Sequence, residues 1–146
     1  MNAFRPSLLF LALAMAAVLT PAPGSARAEE IVVIVAADSA VSQLSRSQVT
    51  NLFLGRYKQL PGDGRAHPSD LAELKDNFYR RLVNKTPGEI SAYWARLVYS
   101  GQTVPPDQID SIETMIDQIR RTEGAIGYIP RSRLVEGIKP VYQLED

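Results

Sequence analysis

The stretch IVVIVAA at residues 31–37 is the strongest fold signal in the chain, because it is an unbroken apolar run rich in β-branched side chains. A strand with one face in water alternates apolar and polar residues, whereas this run has no polar position. Continuous runs of this kind are typical of strands buried on both faces, as in parallel sheets covered by helices. The stretch therefore predicts a central strand of an α/β protein.

Helix starts follow this strand at regular intervals. Four residue pairs have the three-residue spacing of a capping box: Ser45 with Gln48, Asp70 with Glu73, Thr86 with Glu89, and Asp110 with Glu113. In such a pair the first side chain accepts a hydrogen bond from the backbone N–H three residues later. Apolar residues then recur three and four positions apart, which gives each predicted helix one face for a core. We expect about four helices.

Two more strands are predicted near the C-terminus. Residues 125–129 form a short apolar segment that contains Gly127, and such a glycine indicates the close approach of another backbone. Residues 138–144 alternate and contain Pro140, which is typical of an edge strand. With a turn at 61–64 and a weak extended piece at 65–68, the order is β-α-β-α-α-α-β-β. This order predicts an α/β layer with a mostly parallel sheet.

The N-terminus has the pattern of a secretory signal. Arg5 precedes an apolar run at residues 8–19, and Ala26-Arg27-Ala28 matches a small-residue cleavage site. Twelve helical residues span about 18 Å, which is too short for a hydrocarbon core of ~30 Å. We expect a cleaved signal peptide at 1–28, a domain at 29–146 with no stable membrane anchor, and a periplasmic location.

Composition excludes several classes of function. The 146 residues contain 16 basic and 16 acidic side chains, one histidine and no cysteine. A balanced charge offers no electrostatic case for nucleic acid, and the missing ligands argue against a metal site or a thiol nucleophile. No base-oriented nucleophile motif and no glycine-rich phosphate loop is present. The sequence therefore predicts a protein that is not an enzyme and needs no cofactor.

Several segments together carry a resemblance to a known family. They are LSRSQV at 44–49, LFLGR at 52–56, FYRR at 78–81, AYWARL at 92–97, SG at 100–101 and GAIGYI at 124–129. In this order they resemble the small exported relatives of the substrate-binding protein of the phosphate ABC importer, within the type II periplasmic binding protein superfamily. The resemblance extends over residues 31–131. It implies one α/β lobe of that fold and non-catalytic binding of phosphate or another small anion, with an ABC permease or sensor protein as partner.

The same resemblance implies two site residues. In phosphate binders, the loop after the second strand carries an arginine, serines, glycine and threonine, and the corresponding run here is residues 68–74. Ser69 and Asp70 match in type and are carried over as ligand-binding candidates. Pro68 stands in place of the arginine, and the run LAEL at 71–74 replaces the glycine and hydroxyl residues. The alternative for Ser69 and Asp70 is a helix cap, which is the commoner role of such a pair and does not exclude contact with a bound anion.

A third candidate comes from its position after a strand. Ser39 follows the predicted strand at 31–37, and ligands of open α/β sheets bind outside the carboxyl ends of strands. We therefore expect Ser39 and Ser69 to form an oxyanion site at the strand ends. The alternative for Ser39 is a turn in which its hydroxyl bonds the local backbone.

A second function remains open on the sequence alone. Full binding proteins close two lobes around a ligand, whereas residues 29–146 suffice for one lobe. A homodimer or another protein would supply the second lobe, or the domain is an interaction or sensory module without a ligand. In the second case Tyr93, Trp94 and Tyr99 are expected to form the partner surface. If their helix faces the core and not a partner, Tyr93 and Trp94 are expected to be core residues.

Overall fold

A computed structural model describes residues 28–146, and the predicted signal peptide lies almost wholly outside the described residues. Seven strands and four helices follow in chain order: β1 (Ile31–Ala36), α1 (Arg46–Phe53), β2 (Gln59–Leu60), β3 (Gly64–Arg65), β4 (His67–Leu71), α2 (Lys75–Val83), α3 (Pro87–Tyr99), β5 (Asp107–Ile109), α4 (Ile112–Arg121), β6 (Ala125–Pro130) and β7 (Ile138–Gln143). Within this part of the chain, no helix is long and apolar enough to cross a membrane.

The central sheet has five strands in the order β5-β4-β6-β1-β7, and β2 pairs with β3 in a separate hairpin. β4 runs parallel to both β5 and β6, whereas β1 runs antiparallel to both β6 and β7. Four strands therefore share one direction and β1 opposes them. The predicted α/β fold with a mostly parallel sheet is confirmed, and the structure adds the reversed direction of β1.

The central position of β1 explains its composition. Residues 31–35 are fully buried, as the apolar run predicts, because strands lie on both sides of β1 and helices cover the sheet. β7 forms an edge of the sheet, and Pro140 lies beside a register shift in the β1–β7 ladder. An edge strand tolerates proline because one row of its N–H groups has no ladder partner to lose.

Helices cover both faces of the sheet. Adjacent positions of a strand face opposite sides of the sheet, so Gly127 and Tyr128 in β6 face different helices. On one face Phe78 of α2 stacks on Tyr128 with ring centroids 3.7 Å apart, and Phe53 of α1 lies 4.9 Å from Phe78. On the other face a Cβ at Gly127 would overlap the sulfur of Met115 in α4. The close approach expected at Gly127 is therefore by a side chain, and the predicted backbone contact is wrong.

Two of the four capping boxes are present as predicted. Ser45 and Thr86 accept hydrogen bonds from the backbone N–H of Gln48 and Glu89, whose side chains return the bond to the cap. The cap of α4 is instead Ser111, one residue after the predicted Asp110, and its hydroxyl accepts from the N–H of Thr114.

The predicted helix cap at Asp70 is wrong. β4 continues to Leu71, three residues beyond the expected extended piece, and a 3-10 turn at Ala72–Leu74 precedes α2. Because β4 pairs with β6 at its start and with β5 at its end, Asp70 has strand geometry and caps nothing. The short strands β2, β3 and β5 were not predicted, although the turn between β2 and β3 was.

Candidate functional site

The carboxyl ends of β4 and β5 meet the first turns of α2 and α3. Asp70 pairs with Gln108 across the two parallel strands, and the chain turns into α2 directly after β4. A cleft of about 260 Å³ opens there, and we call it the carboxyl-edge cleft. Its lining comprises Ala72, Lys75, Asp76, Tyr79, Pro87, Ile90, Ser91 and Gln108. In open α/β sheets this edge is where ligands bind.

A buried carboxylate lies behind this cleft. Asp70 is 2% exposed, and the hydroxyl of Tyr79 donates to it at 3.0 Å from Oδ1 and 3.2 Å from Oδ2. The hydroxyl of Tyr128 donates to Oδ1 at 3.1 Å, and Nζ of Lys75 lies 3.9 Å from Oδ2. A buried carboxylate is tolerated only when such partners replace water. Asp70 therefore joins β4, α2 and β6 through side-chain contacts.

Burial controls the titration of this group. Removal from water raises the pKa of Asp70 to about 6, although the hydroxyl of Tyr79 and the charge of Lys75 act in the opposite direction. Burial, followed by the nearby carboxylate charge, raises the pKa of Tyr79 and of Tyr128 above its ordinary value. Both tyrosines stay protonated at physiological pH and can act only as donors to Asp70.

Ser69 lies beside Asp70 but faces the other way. It is 1% exposed, and its hydroxyl accepts a 2.9 Å hydrogen bond from Nε2 of Gln118 in α4. Adjacent residues of a strand alternate between faces, so Asp70 lies toward α2 and Ser69 toward α4. Neither side chain lines the carboxyl-edge cleft, and a direct ligand contact by either stays a prediction.

Ser39 lies at the opposite edge of the sheet. Because β1 opposes β4 and β6, its carboxyl end lies beside their amino ends. The hydroxyl of Ser39 donates to Asp63 and accepts from the N–H of Val41 at 3.2 Å. The structure therefore does not bring Ser39 and Ser69 together, and a ligand contact by Ser39 also stays a prediction. Strand direction decides this separation, and no residue pattern near Ser39 reveals it.

Lys75 and Tyr79 are the functional candidates that sequence reasoning missed. Lys75 is partly exposed, lines the carboxyl-edge cleft and reaches back toward Asp70. Tyr79 is three residues before Leu82, so its place on the buried face of α2 was readable from helical spacing. Its role as hydrogen-bond donor to Asp70 was not readable from the sequence, because β4 and α2 come together only in the folded chain.

The aromatic residues proposed as a partner surface are divided by the fold. Trp94 is buried in the core, and the hydroxyl of Tyr93 donates to the carbonyl of Leu54 at 2.7 Å. Tyr99 is 96% exposed at the end of α3. The core interpretation of Trp94 is therefore confirmed, and only Tyr99 is freely available to a partner.

The carboxyl-edge cleft contains donors to an oxyanion, namely the ammonium group of Lys75, the hydroxyl of Ser91 and the amide of Gln108. The carboxylate of Asp76 also lines it and opposes an anion. Between residues 28 and 146, no three side chains of histidine, cysteine, aspartate or glutamate lie close enough together to hold a metal ion.

Comparisons with solved structures agree with this architecture. The chain resembles a phosphate ABC transporter substrate-binding protein from Clostridium perfringens, solved with bound phosphate, at 18% identity and a TM-score of 0.62. It resembles an ABC-type phosphate transport receptor from Vibrio cholerae at 16% identity and 0.63, and PstS from Borrelia burgdorferi at 13% and 0.58. Each match covers 77% of this chain and 44%, 45% and 46% of the other chain, respectively.

At these identities the likeness establishes the fold, and the chain spans less than half the length of the structures it matches. No protein-family model matches the sequence. No curated protein matches it either. The chain thus has the fold of one lobe of a phosphate-type substrate-binding protein, as the sequence resemblance implied.

Proposed function

We propose that residues 29–146 form an exported, non-catalytic solute-binding domain that takes phosphate or another small anion at the carboxyl-edge cleft. The observation that carries this proposal is the fold likeness over 77% of the chain to phosphate-binding transport proteins, one of them solved with phosphate. Two of the three structures are by name a transporter substrate-binding protein and a transport receptor, which supports a binding role over an enzymatic one.

Lys75 supplies the positive charge for such a ligand. Ser91 and Gln108 add hydroxyl and amide donors from α3 and β5. Asp70 lies behind the wall of the cleft, where its carboxylate accepts a hydrogen bond from the hydroxyl of Tyr79 and attracts the ammonium group of Lys75. We therefore assign Asp70 a positioning role, with Ser69 fixing the other face of β4 through Gln118.

One lobe provides one wall of a cleft. The matched structures are more than twice as long as the matched part of this chain, so residues 29–146 correspond to only part of such a cleft, and we infer a partner that completes it. A second copy of the domain, an ABC permease or a sensor protein are the candidates. The predicted signal peptide at 1–28 supports an encounter in the periplasm, and mass spectrometry of exported protein starting at Glu29 would test it.

The test is thermal unfolding of the purified protein with and without phosphate, sulfate and a panel of small anions. A ligand at about 100 times its dissociation constant adds about 2.7 kcal/mol to the free energy of unfolding. We expect a selective upward shift of the unfolding midpoint that Lys75→Gln abolishes. Lys85→Gln, the matched control outside this cleft, should retain the shift. No shift with any anion would refute the anion-binding function.

A second candidate, an interaction module without a ligand, is favoured by one observation. Tyr99, Val98 and Val104 are exposed apolar side chains around the end of α3. Exposed apolar groups within a few residues of one another in the chain are candidates for a protein contact surface. This candidate predicts that Tyr99→Ser weakens association, measured by sedimentation with a second copy or a co-purified partner, while the anion panel has no effect.

A further inference from the structure

A second cavity lies at the opposite edge of the sheet from the carboxyl-edge cleft. It has a volume of about 160 Å³ and is formed where three segments meet. These are residues 52–58 at and after the end of α1, residues 65–68 from the end of β3 into β4, and residues 103–107 before and at the start of β5. His67 and Asp107 are the first residues of β4 and β5. We call this space the amino-edge cavity.

The charges around the amino-edge cavity are unbalanced. Lys58 and Arg65 line it with a single acidic residue, Asp107. Among residues 28–146, neither Lys58 nor Arg65 takes part in an ion pair. Lys58 instead donates to the hydroxyl of Thr103 on the facing wall. Cations gathered in a concave site without carboxylate partners attract an anion from solution.

The walls are held in place by backbone packing. Gly55 has a φ of +71°, and a Cβ there would lie 3.1 Å from side-chain atoms of both Thr103 and Trp94. The N–H of Ala66 donates to the carbonyl of Lys58 at 2.9 Å, and the N–H of His67 to the carbonyl of Gly124 at 2.9 Å. The segments that carry the cations are therefore fixed before any ligand arrives, which lowers the entropy cost of binding.

An apolar wall stands beside the cations. Tyr57, 50% exposed, lies in the same segment as Lys58, and Val104, 75% exposed, lies with Pro105 and Pro106 in the facing segment. An inorganic ion would leave this surface in water, whereas an anion with an apolar body would cover it and gain from its burial. Binding sites for small molecules characteristically combine apolar walls with a few polar groups that set orientation.

We propose that the amino-edge cavity binds a small organic anion, a phosphate monoester or carboxylate attached to an apolar group. Lys58 and Arg65 contact the anionic head, and Tyr57 and Val104 cover the apolar body. This site shares no lining residue with the carboxyl-edge cleft, so it stands whether or not that cleft binds phosphate.

The test is an NMR titration of the purified protein, since His67 is the only histidine and its ring signals report directly on the cavity. Phenyl phosphate and benzoate are the probes, with inorganic phosphate and benzyl alcohol as probes of the head and the body alone. We expect saturable shifts of the His67 ring signals with phenyl phosphate or benzoate, and weaker binding of the two partial probes. The stronger of the two full probes identifies the preferred head group.

Variants then distinguish binding at the amino-edge cavity from binding at the carboxyl-edge cleft. Lys58→Gln and Arg65→Gln together should weaken binding about tenfold or more, as expected for the loss of two charge contacts. Lys85→Gln and Lys75→Gln should leave binding at the amino-edge cavity unchanged. Tyr57→Ser should weaken the aromatic probes and not inorganic phosphate, and amide spectra confirm folding of each variant. No saturable shift with any probe, or equal weakening by Lys85→Gln, would overturn the proposal.

Discussion

Charged side chains at the two edges of the sheet differ in burial and in whether they have partners. At the carboxyl edge, Asp70 is buried and satisfied by the hydroxyls of Tyr79 and Tyr128. At the amino edge, Lys58 and Arg65 are exposed and form no ion pair among residues 28–146. Buried polar groups that satisfy one another belong to the structure, and exposed unpaired ones are available to a ligand. Substitutions at the first edge should cost stability, and at the second edge affinity.

The greatest loss of stability is expected from a substitution at the amino edge, where the other substitutions should affect affinity. Its cause is steric overlap. Gly124 has a φ of +75°, and a Cβ there would overlap the carbonyl oxygen of Arg65. We expect Gly124→Ala to lower the free energy of unfolding by about 4 kcal/mol, from backbone strain and overlap together. Urea unfolding measures the loss.

Gly64 is the matched control for this substitution. It has a φ of +77° but no atom within 4 Å of an added Cβ, so Gly64→Ala carries the strain without the overlap. We expect a loss of about 1–2 kcal/mol for this control. Equal losses for Gly124→Ala and Gly64→Ala would contradict the close contact between Gly124 and the start of β4.

The next effect tests the buried carboxylate. Asp70→Ala removes the group that accepts from two buried hydroxyls, those of Tyr79 and Tyr128, and we expect a loss of about 3 kcal/mol at pH 5. Asp76→Ala, which removes an exposed carboxylate from the first turn of α2, should cost less than about 1 kcal/mol. If both cost the same in denaturant titrations, Asp70 does not tie β4 to α2 and β6.

Titration of Asp70 should make stability depend on pH. Its pKa is about 6 in the folded protein against 3.8 for an ordinary aspartate, so the folded state holds the proton more tightly. The stabilisation is fully present below about pH 4 and is lost as pH rises through 6, up to about 3 kcal/mol. Asp70→Asn cannot titrate. The difference in unfolding free energy between the two proteins should therefore change between pH 4 and 7, and a constant difference would contradict the raised pKa.

The smallest change in stability is expected when the cations at the amino edge are removed. Lys58→Gln and Arg65→Gln remove exposed charges that have no carboxylate partner. We expect each to change the free energy of unfolding by less than about 0.5 kcal/mol, since exposed charges of this kind contribute little. A loss above 1 kcal/mol by calorimetry would show that these cations are structural and not kept for a ligand.

Local signals in the sequence were reliable where short-range contacts decide the outcome. Ser45 and Thr86 cap their helices as predicted, because donor and acceptor lie three residues apart and need no distant partner. The buried run at 31–35 and the core position of Trp94 also follow from pattern alone. The identical spacing of Asp70 and Glu73 failed because strand pairing of β4 overrode the local preference.

The candidate site was predictable only in part. The sequence drew attention to Ser69 and Asp70, and β4 does end at the edge where the carboxyl-edge cleft opens. It did not indicate that both side chains are buried, or that Lys75 and Tyr79 line the cleft instead. Burial of Asp70 depends on Tyr128, 58 residues further along the chain, and no local pattern joins them.

Residue pattern alone was enough for the α/β class, the buried strand at 31–35 and two helix caps, which follow from apolar periodicity and from hydrogen bonds between near neighbours. The likeness to one lobe of a phosphate-type binding protein came from the resemblance of the segments between residues 44 and 129. Only the tertiary structure decided the direction of β1, the separation of Ser39 from Ser69, and the two unlike edges of the sheet. Those depend on which distant strands pair and which side chains then replace water around a buried carboxylate.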